Sequence, residues 1–170
     1  MRKPVVQIKD ISIRGNLMSG DLGYIIYRHG FLYSSEYKYG IPFELYVAEG
    51  LCEFFRSYTP EKDKVWICEH GNKIIGFILL MQLTKHTAQL RYFYIEPQYR
   101  GIGLGKRLME YLLVAAKKIK YRNVFLWTTN ELKIATNLYI RYGFKLTKSR
   151  ESSAFGKKVI EQKYQLALSQ

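Results

Sequence analysis

The chain has 170 residues, 48% hydrophobic and 24% charged, a globular balance that predicts one domain over 1–170. Its 27 Lys and Arg against 14 Asp and Glu leave a formal charge of +13, which predicts attraction to polyanions. Cys52 and Cys68 alone exclude a disulfide framework or a cysteine-built metal cluster, and the longest apolar run, Ile74 to Met81, is too short to cross a bilayer. Arg2 and Lys3 precede no long apolar segment, so no signal peptide is read there. The expectation is a soluble, cytoplasmic protein without a metal, a monomer or homodimer, with no membrane partner.

In chain order, Val5 to Ile13 alternates as a first strand, and Gly15 to Gly20 reads as a loop. Asp21 is placed to cap a helix whose Leu22, Ile25, His29, Leu32, Tyr33 and Glu36 share a face. Gly40 and Pro42 break it, a second helix carries Phe43, Val47, Leu51, Phe54 and Tyr58, and Thr59-Pro60 ends that one. Lys64 to Glu69 and Lys73 to Leu83 flank His70-Gly71-Asn72 as a hairpin, and Ala88 to Ile95 is the next strand. Leu104, Leu108, Leu112, Ala115 and Ile119 then recur as a helical stripe. Asn123 to Thr129 is a strand, and the crossover between it and Ile95 implies a parallel pair. Asn130 precedes a helix that Gly143 terminates, and Phe144 to Lys148 and Val159 to Leu168 close a mixed α/β sheet.

Between the strand ending at Ile95 and the long helix lies Glu96-Pro97-Gln98-Tyr99-Arg100-Gly101-Ile102-Gly103-Leu104-Gly105-Lys106. The first amides of a helix lack intrahelical partners, the helix dipole adds partial positive charge, and glycine lets an anion approach. The stretch therefore reads as a phosphate cradle, with Arg100, Lys106 and Arg107 adding full charges. It is not a Walker loop, and Lys106 stands where a dinucleotide fingerprint needs its third glycine. What remains is Gln98-x-x-Gly101-x-Gly103 overlapped by Arg100-x-x-Gly103-x-Gly105.

That loop resembles the acyl-CoA pyrophosphate loop of the GNAT superfamily of N-acetyltransferases. Ala135-Thr136-Asn137-Leu138-Tyr139-Ile140-Arg141-Tyr142-Gly143-Phe144 is similar to the signature closing the acyl-CoA site in that family, and Leu126 to Asn130 is similar to the strand before it. A closer likeness, carried by Gly20 to Tyr24, Arg28-His29-Gly30, Glu36-Tyr37 and Phe155 to Lys158, is to acetyltransferase domains fused to MarR-type regulators. No winged-helix segment accompanies it here. The resemblance implies a central mixed, mostly antiparallel β-sheet with a splayed parallel pair and about four helices.

It further implies acetyl-CoA as co-substrate, its pantetheine held like an added strand by Phe93, Tyr94 and Ile95. The Phe93 amide would lie near the thioester carbonyl. Gln98, Arg100, Gly101, Ile102, Gly103, Leu104, Gly105 and Lys106 would hold the pyrophosphate, and Asn130 and Asn137 would bond pantetheine or the adenine side. An amine must lose its proton before it attacks a thioester, and the thiolate needs an acid. The resemblance places Tyr139 there as acid. For the base, Glu36, Glu44, Glu96 and His29 all stand open, as does a water chain; Glu36 and Glu96 head the carboxylates. The expected acceptor is a primary amine of a small molecule, peptide or protein, and a +13 chain should not favour a strongly cationic one unless carboxylates cluster at the mouth. A non-catalytic acyl-CoA sensor is the alternative. No zinc finger, RNP motif or GXXG clamp supports nucleic acid as partner, and Lys117, Lys118, Lys120 and Arg122 suit a helix C-terminus instead.

Overall fold

The computed structural model describes residues 6–169. Its elements in order are β1 (Ser12–Arg14), α1 (Asp21–Tyr37), α2 (Ile41–Ser57), β2 (Lys64–His70), β3 (Lys73–Thr84), β4 (Thr87–Ile95), α3 (Leu104–Lys118), β5 (Asn123–Thr129), α4 (Lys133–Arg141), β6 (Lys145–Ser152) and β7 (Val159–Ala167). The seven strands form one sheet in the order β1-β2-β3-β4-β5-β7-β6. Every pairing is antiparallel except β4 with β5, the pair joined by the α3 crossover. The expected mixed, mostly antiparallel sheet with four helices is what the chain forms.

Two cores lie on opposite faces. Leu104, Leu108, Met109, Leu112 and Ala116 of α3 and Tyr139 of α4 pack on Ile78, Leu80, Leu90, Val124 and Leu126. On the other face Ile25 and Leu32 of α1 and Phe43, Val47, Leu51 and Phe54 of α2 cover Phe77, Leu79, Tyr92 and Tyr94. Burying one such aliphatic or aromatic side chain stabilises the fold by about 1.5–3 kcal/mol, so the stripes read from sequence are what dock the helices.

Some boundaries differ from the expectation. The first strand is short: Val5 lies outside the described residues, Ile8–Asp10 is a single 3-10 turn, and only Ser12–Arg14 joins the sheet. Asp21 is not the cap of α1. Gly20, at φ 98°, holds that position, while the Asp21 carboxylate accepts from the Met18 N–H and both terminal nitrogens of Arg14. Asn130 precedes α4, as expected; its Oδ1 accepts from the Ile160 N–H at 3.1 Å, and the helix starts after Leu132. β6 runs to Ser152, four residues past Lys148, because β7 continues to pair with it.

Candidate active site

The site is built where β4 and β5 part. They pair only through Thr87, Ala88 and Gln89 with Asn123, Val124 and Phe125; beyond, the strands diverge toward their C-terminal ends. The cause lies partly in β4. Between Tyr94, opposite Phe77, and Arg91, opposite Leu79, β4 carries one residue more than β3, a β-bulge. Tyr92 takes the left-handed conformation there, at φ 54°, which is costly for a residue with a Cβ. The bulge breaks the alternation of faces: Tyr92 and Tyr94 join the α1–α2 core, whereas Leu90, Phe93 and Ile95 pack toward α3. Gly50 in α2 makes room, since a Cβ there would come within 2.1 Å of the Tyr92 hydroxyl.

At the wide end of the wedge sits the glycine loop. Gly103 is the N-cap of α3 at φ 91°, a conformation that favours glycine, and gives no side-chain cap. The helical ladder opens with Arg107 N–H to the Gly103 carbonyl at 3.1 Å, and among the described residues no acceptor within the chain meets the amides from Gly101 through Lys106. Gly101, Gly103, Gly105 and Lys106 of that stretch border a cavity of about 580 Å³ lined also by Phe93, Ile95, Ala135, Asn137 and Leu138. Donor-rich backbone at one end and apolar walls toward the strands suit a diphosphate carrying an extended, mostly apolar arm.

A second cavity of about 550 Å³ opens on the α1–α2 side, walled by Tyr39, Phe43, Tyr46, Tyr92, Trp127 and Phe155 and reached by His29 and Tyr139. Tyr33, Phe93 and Leu132 border both cavities. Phe155 is held by the β6–β7 turn, where the Gly40 N–H donates to its carbonyl at 2.9 Å and Lys157 donates to the Tyr37 carbonyl and pairs with Glu131 at 2.7 Å. Tyr139 is buried with its ring 6.4 Å from that of Phe93, and burial alone pushes its phenol up, so it carries its proton at neutral pH.

Of the residues expected at the cofactor, Phe93, Tyr94, Ile95, Arg100, Gly101, Gly103, Gly105, Lys106 and Asn137 border the loop-side cavity. Gln98 is exposed in the Pro97–Tyr99 turn, Ile102 packs against the core, and the Leu104 side chain is buried in it, so none of the three lines the cavity. Asn130 is exposed, bonded to Ile160, and lines neither cavity.

The carboxylates require the larger correction. Glu96 is buried and grips Arg28 of α1 through both oxygens, at 2.5 and 2.6 Å; it borders neither cavity. Glu36 holds Arg100 in the same bidentate manner, both contacts at 2.8 Å, and lines the loop-side cavity rather than the aromatic one. Arg100 therefore faces a carboxylate, with its Nε donating to the Ile95 carbonyl at 2.9 Å. Glu44 packs over Gly30 and lies outside the aromatic cavity as well. The carboxylates that do line it are Glu49, Glu53 and Glu161. Sequence reasoning missed these and the Tyr92–Gly50 contact; a glycine in the middle of an apolar helical stripe was the available signal for the latter.

The sequence profile of the acetyltransferase (GNAT) family matches residues 31–144. An uncharacterized N-acetyltransferase of Methanocaldococcus jannaschii is 31% identical over 91 residues, 50% of this chain and 40% of that protein. The chain spans about half the length of the curated relatives it matches. Among solved structures, an acetyltransferase from Streptococcus agalactiae superposes with a TM-score of 0.78 at 20% identity, covering 95% of this chain and 100% of that one. YncA from Salmonella typhimurium, solved with its cofactor acetyl-CoA, gives 0.70 at 18% identity over 95% of each chain. These likenesses show the same fold, and with the profile spanning the wedge, the glycine loop and Tyr139, the chain belongs to the acetyltransferase (GNAT) family.

Proposed function

We propose that the protein transfers an acetyl group from acetyl-CoA directly to a primary amine, both substrates being bound at once. The observation that carries this reading is the pair of cavities meeting at Tyr33, Phe93 and Leu132, one ending in the unmet amides of the glycine loop and the other in an aromatic pocket. The loop amides hold the pyrophosphate, and Arg100, turned to Glu36, braces the loop. The freed edge of β4 takes the pantetheine as an added strand, with Asn137 beside it. The Phe93 amide steadies the thioester carbonyl, and the Tyr139 hydroxyl protonates the departing sulfur. The acetyl-CoA seen with YncA supports the choice of donor.

The finer likeness to acetyltransferase domains fused to MarR-type regulators belongs to the same proposal, supported by Phe155, which walls the acceptor cavity, and by Lys157, which ties its turn to Tyr37 and Glu131. A cytoplasmic setting is likewise proposed, in keeping with free thiols at Cys52 and Cys68. Among the described residues no helix is long and apolar enough to cross a membrane.

The test is thiol release from acetyl-CoA across a panel of primary amines, with melting temperature recorded with and without CoA. Amine-dependent release together with a CoA-induced rise is expected. A rise without release for any amine points to the acyl-CoA sensor. Gly103→Val should remove the CoA-induced rise, because valine is strained at φ 91° and its side chain crowds the loop amides.

A further inference from the structure

The acceptor cavity contains polar atoms that the fold leaves without partners. His29 is buried on α1, its Nδ1 2.9 Å from the Ile25 carbonyl, the i−4 position of its own helix. An acceptor at that nitrogen fixes the tautomer: Nδ1 carries the hydrogen, and Nε2 offers a lone pair. Nε2 is fully buried with no partner, as are the hydroxyls of Tyr92 and Thr128, and all three residues line the same cavity. A buried polar atom left unmet costs about 1–3 kcal/mol. Three around one cavity mark a place built to receive hydrogen-bonding groups from something bound.

The charges around that place are also informative. Each inward carboxylate near the two cavities is already paired: Glu36 with Arg100, Glu96 with Arg28, Glu131 with Lys157, and Glu161 with Arg150. Glu49 and Glu53 are exposed at the outer edge of α2. Arg91 packs against Gly50 between them in sequence, with its guanidinium 4.7 Å from the Tyr92 ring centre and donating to the Tyr46 hydroxyl. An ammonium carried to the inner end would leave water and meet aromatic rings and an imidazole, the unpaired Glu49 and Glu53 carboxylates standing at the exposed edge of the cavity. Burying an unpaired ion is far costlier than burying the neutral amine.

We propose that His29 Nε2 seats the acceptor nitrogen as an uncharged amine, and that the acceptor is a weakly basic primary amine on an apolar body, an α-amino group or an arylamine, rather than a lysine side chain or a polyamine. This rests on the acetyltransferase reading. An α-amino group, with a pKa near ~8, is substantially unprotonated at neutral pH, whereas a lysine ammonium near ~10.4 is almost wholly charged. In the transfer the amine lone pair forms the C–N bond on the thioester carbonyl carbon and the C–S bond breaks. The nitrogen, positive once bonded, releases one proton to His29 Nε2, and Tyr139 gives one to sulfur. Passage of the proton from His29 to the Tyr139 phenolate through solvent restores both groups. A weak base suffices, because an N–H of the adduct is far more acidic than the starting amine. His29 is such a base: burial pushes its pKa down to about 4. The titratable groups its ring meets are Tyr33 of α1 and Tyr92 and Tyr94 of β4, and burial pushes all three upward, so they are neutral.

Three measurements on the full chain test this. At pH 7, kcat/KM for phenylalanine amide should exceed that for phenethylamine at least tenfold, and the latter should rise about tenfold per pH unit between 7 and 9. Calorimetry of phenethylamine binding to the CoA-bound protein, in two buffers of different ionisation enthalpy, should show about one proton released per amine bound. His29→Ala should raise the acceptor KM at least tenfold while leaving the acetyl-CoA KM within twofold, and His29→Gln should recover part of the loss. Binding of phenethylamine without proton release, or preference for spermidine or an α-N-acetylated lysine amide at pH 7, overturns the proposal while leaving the enzyme an acetyltransferase. So does unchanged acceptor KM in a folded His29→Ala. Where that variant does not fold, the amine panel and the calorimetry decide on the native protein. Failure of every amine in the panel to release thiol overturns both readings.

Discussion

Tyr139 and His29 both line the aromatic cavity, and each makes a prediction that its neighbours do not share. Tyr139 is buried, and its phenol is pushed up by burial alone. Tyr139→Phe removes the donor and keeps the ring against Phe93 and Phe144. Turnover should fall about 10²–10⁴-fold, the usual range for losing a positioned acid, while acetyl-CoA affinity moves by less than threefold in a binding titration. Unchanged turnover removes Tyr139 from that role. His29 predicts a stability profile. Its pKa drops from 6.5 to about 4 on folding because burial disfavours the imidazolium. Between those values the unfolded chain binds the proton and the folded chain does not, so stability is lost as pH falls from 6.5 toward 4. The shift corresponds to about 3 kcal/mol in all. His29→Gln should flatten the difference in denaturant midpoint between pH 7 and pH 5 relative to the parent. A parallel pair of profiles shows that His29 is not the group responsible.

At the scale of elements, α1 is fastened to the glycine loop by two ion pairs running in opposite senses. Arg28 of the helix reaches Glu96 before the loop, and Arg100 of the loop reaches Glu36 of the helix. The pairs differ in burial and therefore in worth. The Glu96 side chain is 6% exposed and that of Arg28 15%, whereas the Arg100 and Glu36 side chains are 37% and 25% exposed. Glu96→Ala strands a part-buried guanidinium and should destabilise by about 3–5 kcal/mol. Glu36→Ala should cost about 0–1 kcal/mol yet free Arg100 and loosen the loop, raising the acetyl-CoA KM several-fold. Urea melts beside saturation kinetics separate the two, and a Glu96→Ala protein of parental stability sinks the assignment. Neither pair was legible in the sequence, because the partners lie 68 and 64 residues apart. The loop was legible because its donors, glycines and helix start are contiguous. The Tyr92 bulge was not, since an alternating apolar strand gives no sign of the residue at which alternation breaks. Asp21 was misread as a cap for a related reason: a side chain outside its own helix, Arg14, had taken its carboxylate.

For the whole molecule the net charge of +13 acts at long range, while the contacts at the loop are closer to neutral. Arg100 is answered by Glu36, and Lys106 has Glu110 at 3.9 Å. On the proposed reading, attraction close to the diphosphate comes chiefly from oriented amides, which salt screens little once water is excluded. The excess positive charge spread over the surface draws a polyanion from a distance, and at 0.15 M salt its reach is cut to about 8 Å. Steering of this kind governs arrival rather than departure. Stopped-flow binding of CoA should therefore show kon falling several-fold as salt rises from low to molar concentrations, with koff nearly constant. S-acetylpantetheine, which has the thioester arm without the nucleotide diphosphate, should bind with little response to salt. Should koff carry the change for CoA instead, direct ion pairs at Lys106 and Arg107 outweigh the amides, and the backbone ceases to be the principal grip on the phosphates.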